Sequence, residues 1–249
     1  MKTYYCIPND IEDEVLNKYK DTKALEKQFF TSDRELVSKR RSIDLIDGEY
    51  KLEIRIFSTN EEKDEKCWLY SQGLLFNKQG ELLIEICRNY PSFPYTFFYS
   101  EPLDNYLLVC GEDYQGYIIY DVKNNAKYIF YPIEAEKGYS LCWADINHNP
   151  KGDKLIVHAC YWGGPYDIYI YDISDIKLPL KLLKCIRDVP DYTYLRVTDT
   201  YIEGEEELEY RVSDGKLYKD LSDEEQIVQD TALDEEVDWK SVPFKIPYV

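Results

Sequence analysis

The sequence predicts an all-β chain built as a stack of antiparallel sheets. Three observations carry this. Stretches such as Tyr50-Lys51-Leu52-Glu53-Ile54-Arg55-Ile56-Phe57 alternate apolar and polar residues with a period of two, as half-buried strands do. Polar turn clusters recur at Asn77 to Gly80, Pro102 to Asn105 and Asn149 to Asp153, each followed by a short apolar run. Tyrosine, at 25 of 249 residues, favours strands and amphipathic faces.

A chain of 249 residues can bury a large core, and a single domain over residues 1–249 is expected. At 44% hydrophobic and 31% charged residues, the composition is that of a folded protein rather than a disordered one. The formal net charge of -18 and pI of about 4.6 give a surface that repels nucleic acid and anionic membranes. Lys39-Arg40-Arg41 is the only compact basic run and reads as a solvated face. The acidity suits a basic protein partner. Nothing in the sequence sets an oligomeric state.

The seven cysteines are Cys6, Cys67, Cys87, Cys110, Cys142, Cys160 and Cys185. Their number is odd, no CxxC pair occurs, and most sit inside apolar runs, as buried free thiols do in a reducing compartment. Met1 to Cys6 runs into acidic residues without a signal-peptide core, and no apolar run approaches membrane-spanning length. These features predict a cytoplasmic protein.

In chain order, residues 9–41 read as two short helices. Ile11, Val15, Leu16 and Tyr19 share one helical face, as do Leu25, Phe29 and Phe30, and Ser32-Asp33-Arg34-Glu35 has the pattern of a capping box. The Tyr50–Phe57 strand follows, then a charged loop from Asn60 to Lys66, and Cys67 to Phe76 as a strand pair bent at Gly73. Three segments then share one layout of turn, strand, loop and strand. The first places its strands at Glu81–Cys87 and Tyr95–Tyr99, the second at Tyr106–Cys110 and Tyr117–Asp121, the third at Lys154–Cys160 and Asp167–Asp172. Pro102 and Pro150 are 48 residues apart, which suits one four-stranded sheet per repeat. A fourth, degenerate copy is expected over Tyr194–Asp220, with turns at Tyr201-Ile202-Glu203-Gly204 and Ser213-Asp214-Gly215-Lys216. The acidic tail from Leu221 carries a weak helical face of Ile227, Val228 and Leu233. It then ends in Trp239, Val242, Pro243, Phe244 and Ile246, which suggest a segment docking back as a closing strand against the N-terminal part.

The signature Asn149-Pro150-Lys151-Gly152-Asp153-Lys154-Leu155-Ile156-Val157, with Trp143 upstream, resembles the Pro-Asp-Gly repeat of WD40-like and TolB-type β-propellers. Lys151 stands where that repeat has Asp. Cys160-Tyr161-Trp162 through Pro165-Tyr166, followed by Tyr171-Asp172, also resembles a cluster in a group of uncharacterised bacterial proteins. The resemblance covers roughly residues 70 to 185. It implies a β-propeller-like stack, short or incomplete, with room for at most about five blades. It implies no particular activity, because propellers host many.

The candidate chemistry is sparse. Asp145, Asn147, Asn149 and Asp153 mimic a calcium loop, but Pro150 stands where glycine is needed and Ile156 where Glu is, so the stretch reads as a turn. His158 and Cys160, with Cys142 and His148 upstream, are zinc-compatible types without zinc spacing, and His158 reads as a core histidine bonded to backbone. No nucleophile elbow, phosphate-binding glycine loop or His-Glu-x-x-His motif occurs, so neither catalytic residue, metal nor cofactor is expected.

What stands out is a set of aromatics on three equivalent loops: Tyr90, Phe93 and Tyr95; Tyr114 and Tyr117; Tyr161, Trp162 and Tyr166. If the repeat register holds, all emerge at one end of neighbouring sheets, as a partner-binding surface of the composition that interface hot spots have. The expected function is a non-enzymatic, acidic protein-binding module, of the inhibitor or immunity type. The alternative is a hydrolase with paired carboxylates in a cleft at the same end.

Overall fold

The computed structural model describes residues 1–6, 17, 20, 21, 24, 40–58, 69–112, 116–130, 141–161, 166–187, 192–222, 224–226 and 237–248. The described chain is all-β in architecture and divides into two compact units, Met1–Arg187 and Asp188–Val249. No sheet among the described residues closes into a barrel. No described helix is long and apolar enough to cross a membrane. The helices expected over 9–41 lie outside the described residues, apart from Asn17, Lys20, Asp21 and Ala24, whose backbone is helical. The Asn60–Lys66 loop and the apolar face of Ile227, Val228 and Leu233 lie outside them too.

The first unit holds three sheets in chain order. Strands β2 (Arg41–Leu45), β3 (Tyr50–Ser58), β4 (Leu69–Asn77) and β5 (Leu82–Arg88) form the first. The second contains β6 (Tyr95–Ser100), β7 (Asn105–Glu112), β8 (Gly116–Asp121) and β9 (Ala126–Phe130). The third contains β10 (Leu141–His148), β11 (Lys154–Tyr161), β12 (Asp167–Asp172) and β13 (Lys181–Ile186). Each is an antiparallel meander. The N-terminal strand β1 (Lys2–Cys6) adds to the second sheet in parallel beside β9, where Tyr4 stacks on Tyr128 with ring centroids 5.1 Å apart.

The middle sheet is buried on both faces, which explains why β8 reads Gly-Tyr-Ile-Ile-Tyr-Asp and is buried at every position. Its residues alternate between two cores. Leu107, Val109, Tyr117 and Ile119 pack with Trp143, Ile146, Leu155 and Val157 of the third sheet. Leu108, Cys110, Ile118 and Tyr120 pack with Leu52, Ile54, Leu75 and Ile86 of the first.

The meander fixes which connections share an end. Turns after the first and third strands of each sheet fall at one end, and connections after the second and fourth at the other. At the turn end, positive φ recurs at Asp47, Gly80, Asp104, Asn125 and Gly152. Buried Asn149 shapes its turn by accepting hydrogen bonds from the amides of Asp153 and Lys154 at 3.1 and 2.9 Å and donating to Asp153 Oδ1 at 2.7 Å. This is a turn scaffold built by an Asn side chain. The second and third sheets repeat the expected layout in register, with Asp121 and Asp172 closing β8 and β12.

The first expected copy is out of register. β5 and β6 belong to different sheets, and Lys78–Gly80 is the turn before a fourth strand, not before a second. The half-period of the hairpins, with a turn every other connection, makes the two registers look alike in sequence. The strand pair expected over Cys67–Phe76 is instead one strand, β4, and Gly73 is not a bend. A Cβ there would lie 2.2 Å from Phe93 Cζ, so the glycine makes room for that ring. Gly73→Val is expected to cost about 1–3 kcal/mol by overpacking. Combining it with Phe93→Ala should cost less than the sum of the single changes. Additive unfolding free energies in a double-mutant cycle would show that the two residues do not share this slot.

In the second unit, β14 (Tyr192–Val197), β15 (Tyr201–Arg211) and β16 (Val237–Pro247) form a three-stranded antiparallel sheet. The expected turn at Tyr201–Gly204 lies inside β15, where Gly204 pairs with Leu195 on one side and Phe244 on the other. The turn at Ser213–Lys216 is present, closed by Arg211, whose guanidinium donates to both oxygens of Asp214 at 3.0 and 2.6 Å. The closing strand pairs with β15 rather than with the N-terminal part, because β15 offers an edge of matching length, from Tyr201↔Pro247 to Arg211↔Val237. A capping box does occur, at Ser222 and Glu225.

Candidate functional site

Arg88, at the end of β5, builds the first loop of the end opposite the turns. It is 1% exposed and donates from Nη1 to the Ser92 carbonyl, to which Ser71 Oγ also donates at 3.2 Å. Phe93 then drops over Gly73, and Pro94 O accepts the amide of Gly111 at 3.3 Å. Near the end of β7, Gly111 lies beside Trp143 of β10, so the second and third sheets are level at this end. They are level at the turn end too, where Phe98 stacks on His148 with centroids 4.5 Å apart and Glu101 N donates to Lys151 O at 3.0 Å.

The eight expected binding residues divide by burial. Tyr90, Tyr161 and Tyr166 are 36%, 42% and 44% exposed at the loop end. Tyr95 is half-buried, its ring 6.2 Å from that of Phe93, and burial pushes its phenol up. Phe93 and Tyr117 are core residues: Phe93 packs between the first and second sheets, and Tyr117, on β8, between the second and third. Tyr117 is stacked between Phe130 and Trp143, and its hydroxyl accepts the Leu180 amide at 2.7 Å. These two buttress the end rather than face outward. Tyr114 and Trp162 lie outside the described residues.

Tyr166, just before β12, contacts the side chains of His158 and Cys160 on β11. A hydrogen bond with the Cys160 thiol raises its phenol above the ordinary range, followed by the influence of Cys160 charge, burial, Cys142 and Tyr90. Tyr90, on the connection from β5 to β6, has a minor electrostatic influence on the Tyr166 phenol. His158 is half-buried under Tyr166, with ring centroids 4.9 Å apart, and is not the core histidine expected. The zinc-compatible set is split. Cys142 and Cys160 are register partners, whereas His148 sits at the turn end of β10. No three described His, Cys, Asp or Glu residues converge as metal ligands.

His148 bonds through Nδ1 to Thr96 Oγ1 at 2.9 Å, and burial holds its pKa below the ordinary histidine value. The fold therefore favours the neutral ring. That stability is complete above the unfolded pKa of about 6.5 and is lost as pH falls towards the folded one. The melting temperature should decline between about pH 7.5 and about pH 5.5, and His148→Asn should flatten that slope. An unchanged slope in the variant would assign the decline elsewhere.

A separate cavity of about 770 Å³ lies beside β1, lined by Lys2, Tyr4, Tyr5, Asn124, Tyr128 and Lys177 among others. It runs along β1 from Lys2 to Cys6, with Asn124 after β8 and residues 177–179 after β12 also lining it. Neither composition nor motif marks it in the sequence.

No family model matches the sequence. The chain is similar to Uncharacterized protein R762 of Acanthamoeba polyphaga mimivirus, at 33% identity over 148 residues, 59% of this chain and 55% of that protein. The chain thus spans about half the length of that relative, whose name states no activity.

Proposed function

We propose that the chain is a non-enzymatic, cytoplasmic protein-binding module, in which the three meanders act as blades of a short propeller-like stack. The resemblance to WD40-like and TolB-type repeats supports this through the turn at Asn149–Asp153 and the 48-residue spacing from Pro102 to Pro150. The observation that carries the binding reading is the gathering of exposed Tyr90, Tyr161 and Tyr166 at one end of adjacent sheets. Tyrosine supplies large contact area and a polar tip at low entropy cost, and is enriched at interface cores. Buried Arg88, Phe93 and Tyr117 hold the end rigid, and rigidity lowers the ordering cost of binding. The net charge of -18 steers a basic partner, as an inhibitor or immunity-type protein would require.

The test is capture from an extract of the protein's own cells, comparing the wild type with Tyr90→Ser/Tyr161→Ser/Tyr166→Ser and with a turn-end control, Leu178→Ser. A basic protein should be retained by the wild type and the control, weaken with added salt, and be lost with the triple variant. Equal retention by the triple variant sinks the proposal.

A further inference from the structure

We propose that Cys142 and Cys160 are a dithiol that closes to a reversible disulfide. They face each other as register partners on β10 and β11, and neither is in a disulfide. Directly opposed residues of an antiparallel pair have Cα atoms about 4.5 or 5.5 Å apart, depending on the rung, and both spacings fall within the span of about 4.4–6.8 Å that disulfides bridge. Opposed side chains also share one face of the sheet. An independent sign is that both thiols bear on one phenol, Tyr166, which hydrogen-bonds with Cys160. Among the described residues no other two cysteines are register partners. Cys6 faces Phe130, Cys87 faces Gln72, Cys110 lies between Tyr95 and Ile118, and Cys185 faces Tyr169.

The oxidant is a low-molecular-weight disulfide such as oxidised glutathione. Cys142 is the more accessible thiol, half-buried where Cys160 is 8% exposed. Its thiolate attacks one sulfur of the oxidant. The S–S bond breaks, and the first glutathione leaves as a thiolate that takes up the proton Cys142 gave up. The Cys160 thiolate then attacks the Cys142 sulfur of the mixed disulfide, and the second glutathione leaves in the same way. Two protein thiols are oxidised and one small disulfide is reduced to two thiols. The new bond lies one rung from the open end of the β10–β11 ladder, where Leu141 pairs with Tyr161. It therefore pins the strand ends beneath Tyr161 and Tyr166 against fraying. That it would alter partner capture rests on the binding proposal above; the disulfide itself does not.

The test incubates the reduced full chain with a graded ratio of oxidised to reduced glutathione, then maps peptides without reduction. Lys151 and Lys154 let trypsin separate the two cysteines. The wild type should lose two hydrogens and yield the Cys142–Cys160 cross-linked peptide, and added thiol should reverse this. Cys142→Ser and Cys160→Ser, each checked for an unchanged circular dichroism spectrum, should instead gain one glutathione on the remaining partner. Amides of Leu141 to Trp143 should exchange more slowly in the oxidised wild type. Mixed glutathione disulfide on Cys142 persisting in the wild type, or a cross-link between other cysteines in its place, overturns the proposal. Capture of the partner before and after oxidation is read separately, so a cross-link that forms without changing capture leaves the disulfide standing and counts only against its coupling to binding.

Discussion

Trp143→Ala should lower the stability of the first unit by about 3–5 kcal/mol, the range for deleting a large buried aromatic. Trp143 is 4% exposed and sits where β10 meets the middle sheet. Its ring stacks on Tyr117 at 4.7 Å and 6°, and Tyr171 lies 5.6 Å away on its own sheet. Tyr117 stacks in turn on Phe130 at 4.7 Å, so removing the indole strips one layer from a column of rings that joins two sheets. The backbone of Gly111 has closed against Trp143, and a Cβ at Gly111 would lie 2.9 Å from Trp143 Cβ. Neighbours already in close contact cannot collapse into the space, and the cavity term stays large. Urea unfolding should show a lower midpoint with an unchanged slope. A loss below about 1 kcal/mol would mean that this column does not hold the sheets together.

Gly152→Ala should cost about 2–4 kcal/mol, from a left-handed backbone and a steric clash together. Gly152 has φ +63°, and a Cβ on it would meet Tyr99 O at 2.4 Å and Ser100 Cα at 2.9 Å. Those are backbone atoms of β6, which cannot swing aside as a side-chain tip can. The third sheet touches the second here at the turn end, with Glu101 N donating to Lys151 O. Gly80 is the control, because its φ is +78° yet nothing lies within 4 Å of its would-be Cβ. Gly80→Ala should therefore cost only the backbone part, about 1 kcal/mol. Equal losses at the two positions, by thermal or chemical unfolding, would show that the close approach of turn and strand contributes nothing.

Much of this architecture was legible because period-two alternation and turn chemistry are local. The strands over Tyr50–Phe57, Tyr117–Asp121 and Asp167–Asp172 follow from their own residues, and Pro102 and Pro150 mark equivalent turns in sheets of the same layout. Sheet membership was harder. A meander places a turn after every first and third strand, so Lys78–Gly80 resembled a repeat start while belonging to a different hairpin. Gly73 and Gly204 read as bend and turn because composition cannot tell a glycine that changes direction from one that makes room or lies paired in a strand. The loop end was legible as an aromatic set, but not the burial that divides it. Tyr117 and Tyr166 are chemically alike, and only the partners across the sheets send one into the core and the other outward. The role of Arg88 had no signal beyond a charge ending an apolar run, and the pairing of Cys142 with Cys160 required the register of β10, including its irregularity between Trp143 and Asp145.

Hydroxyl-radical footprinting of the tyrosines, with and without the captured partner, tests the binding account most directly. Tyr90, Tyr161 and Tyr166 should be protected in the complex. Tyr4, Tyr5 and Tyr99, 44%, 46% and 41% exposed on the edge strand and at the turn end, should be modified equally in both states. Protection of Tyr4, Tyr5 and Tyr99 with the loop-end tyrosines unchanged would contradict the account and move the binding surface to the edge strand and the turn end.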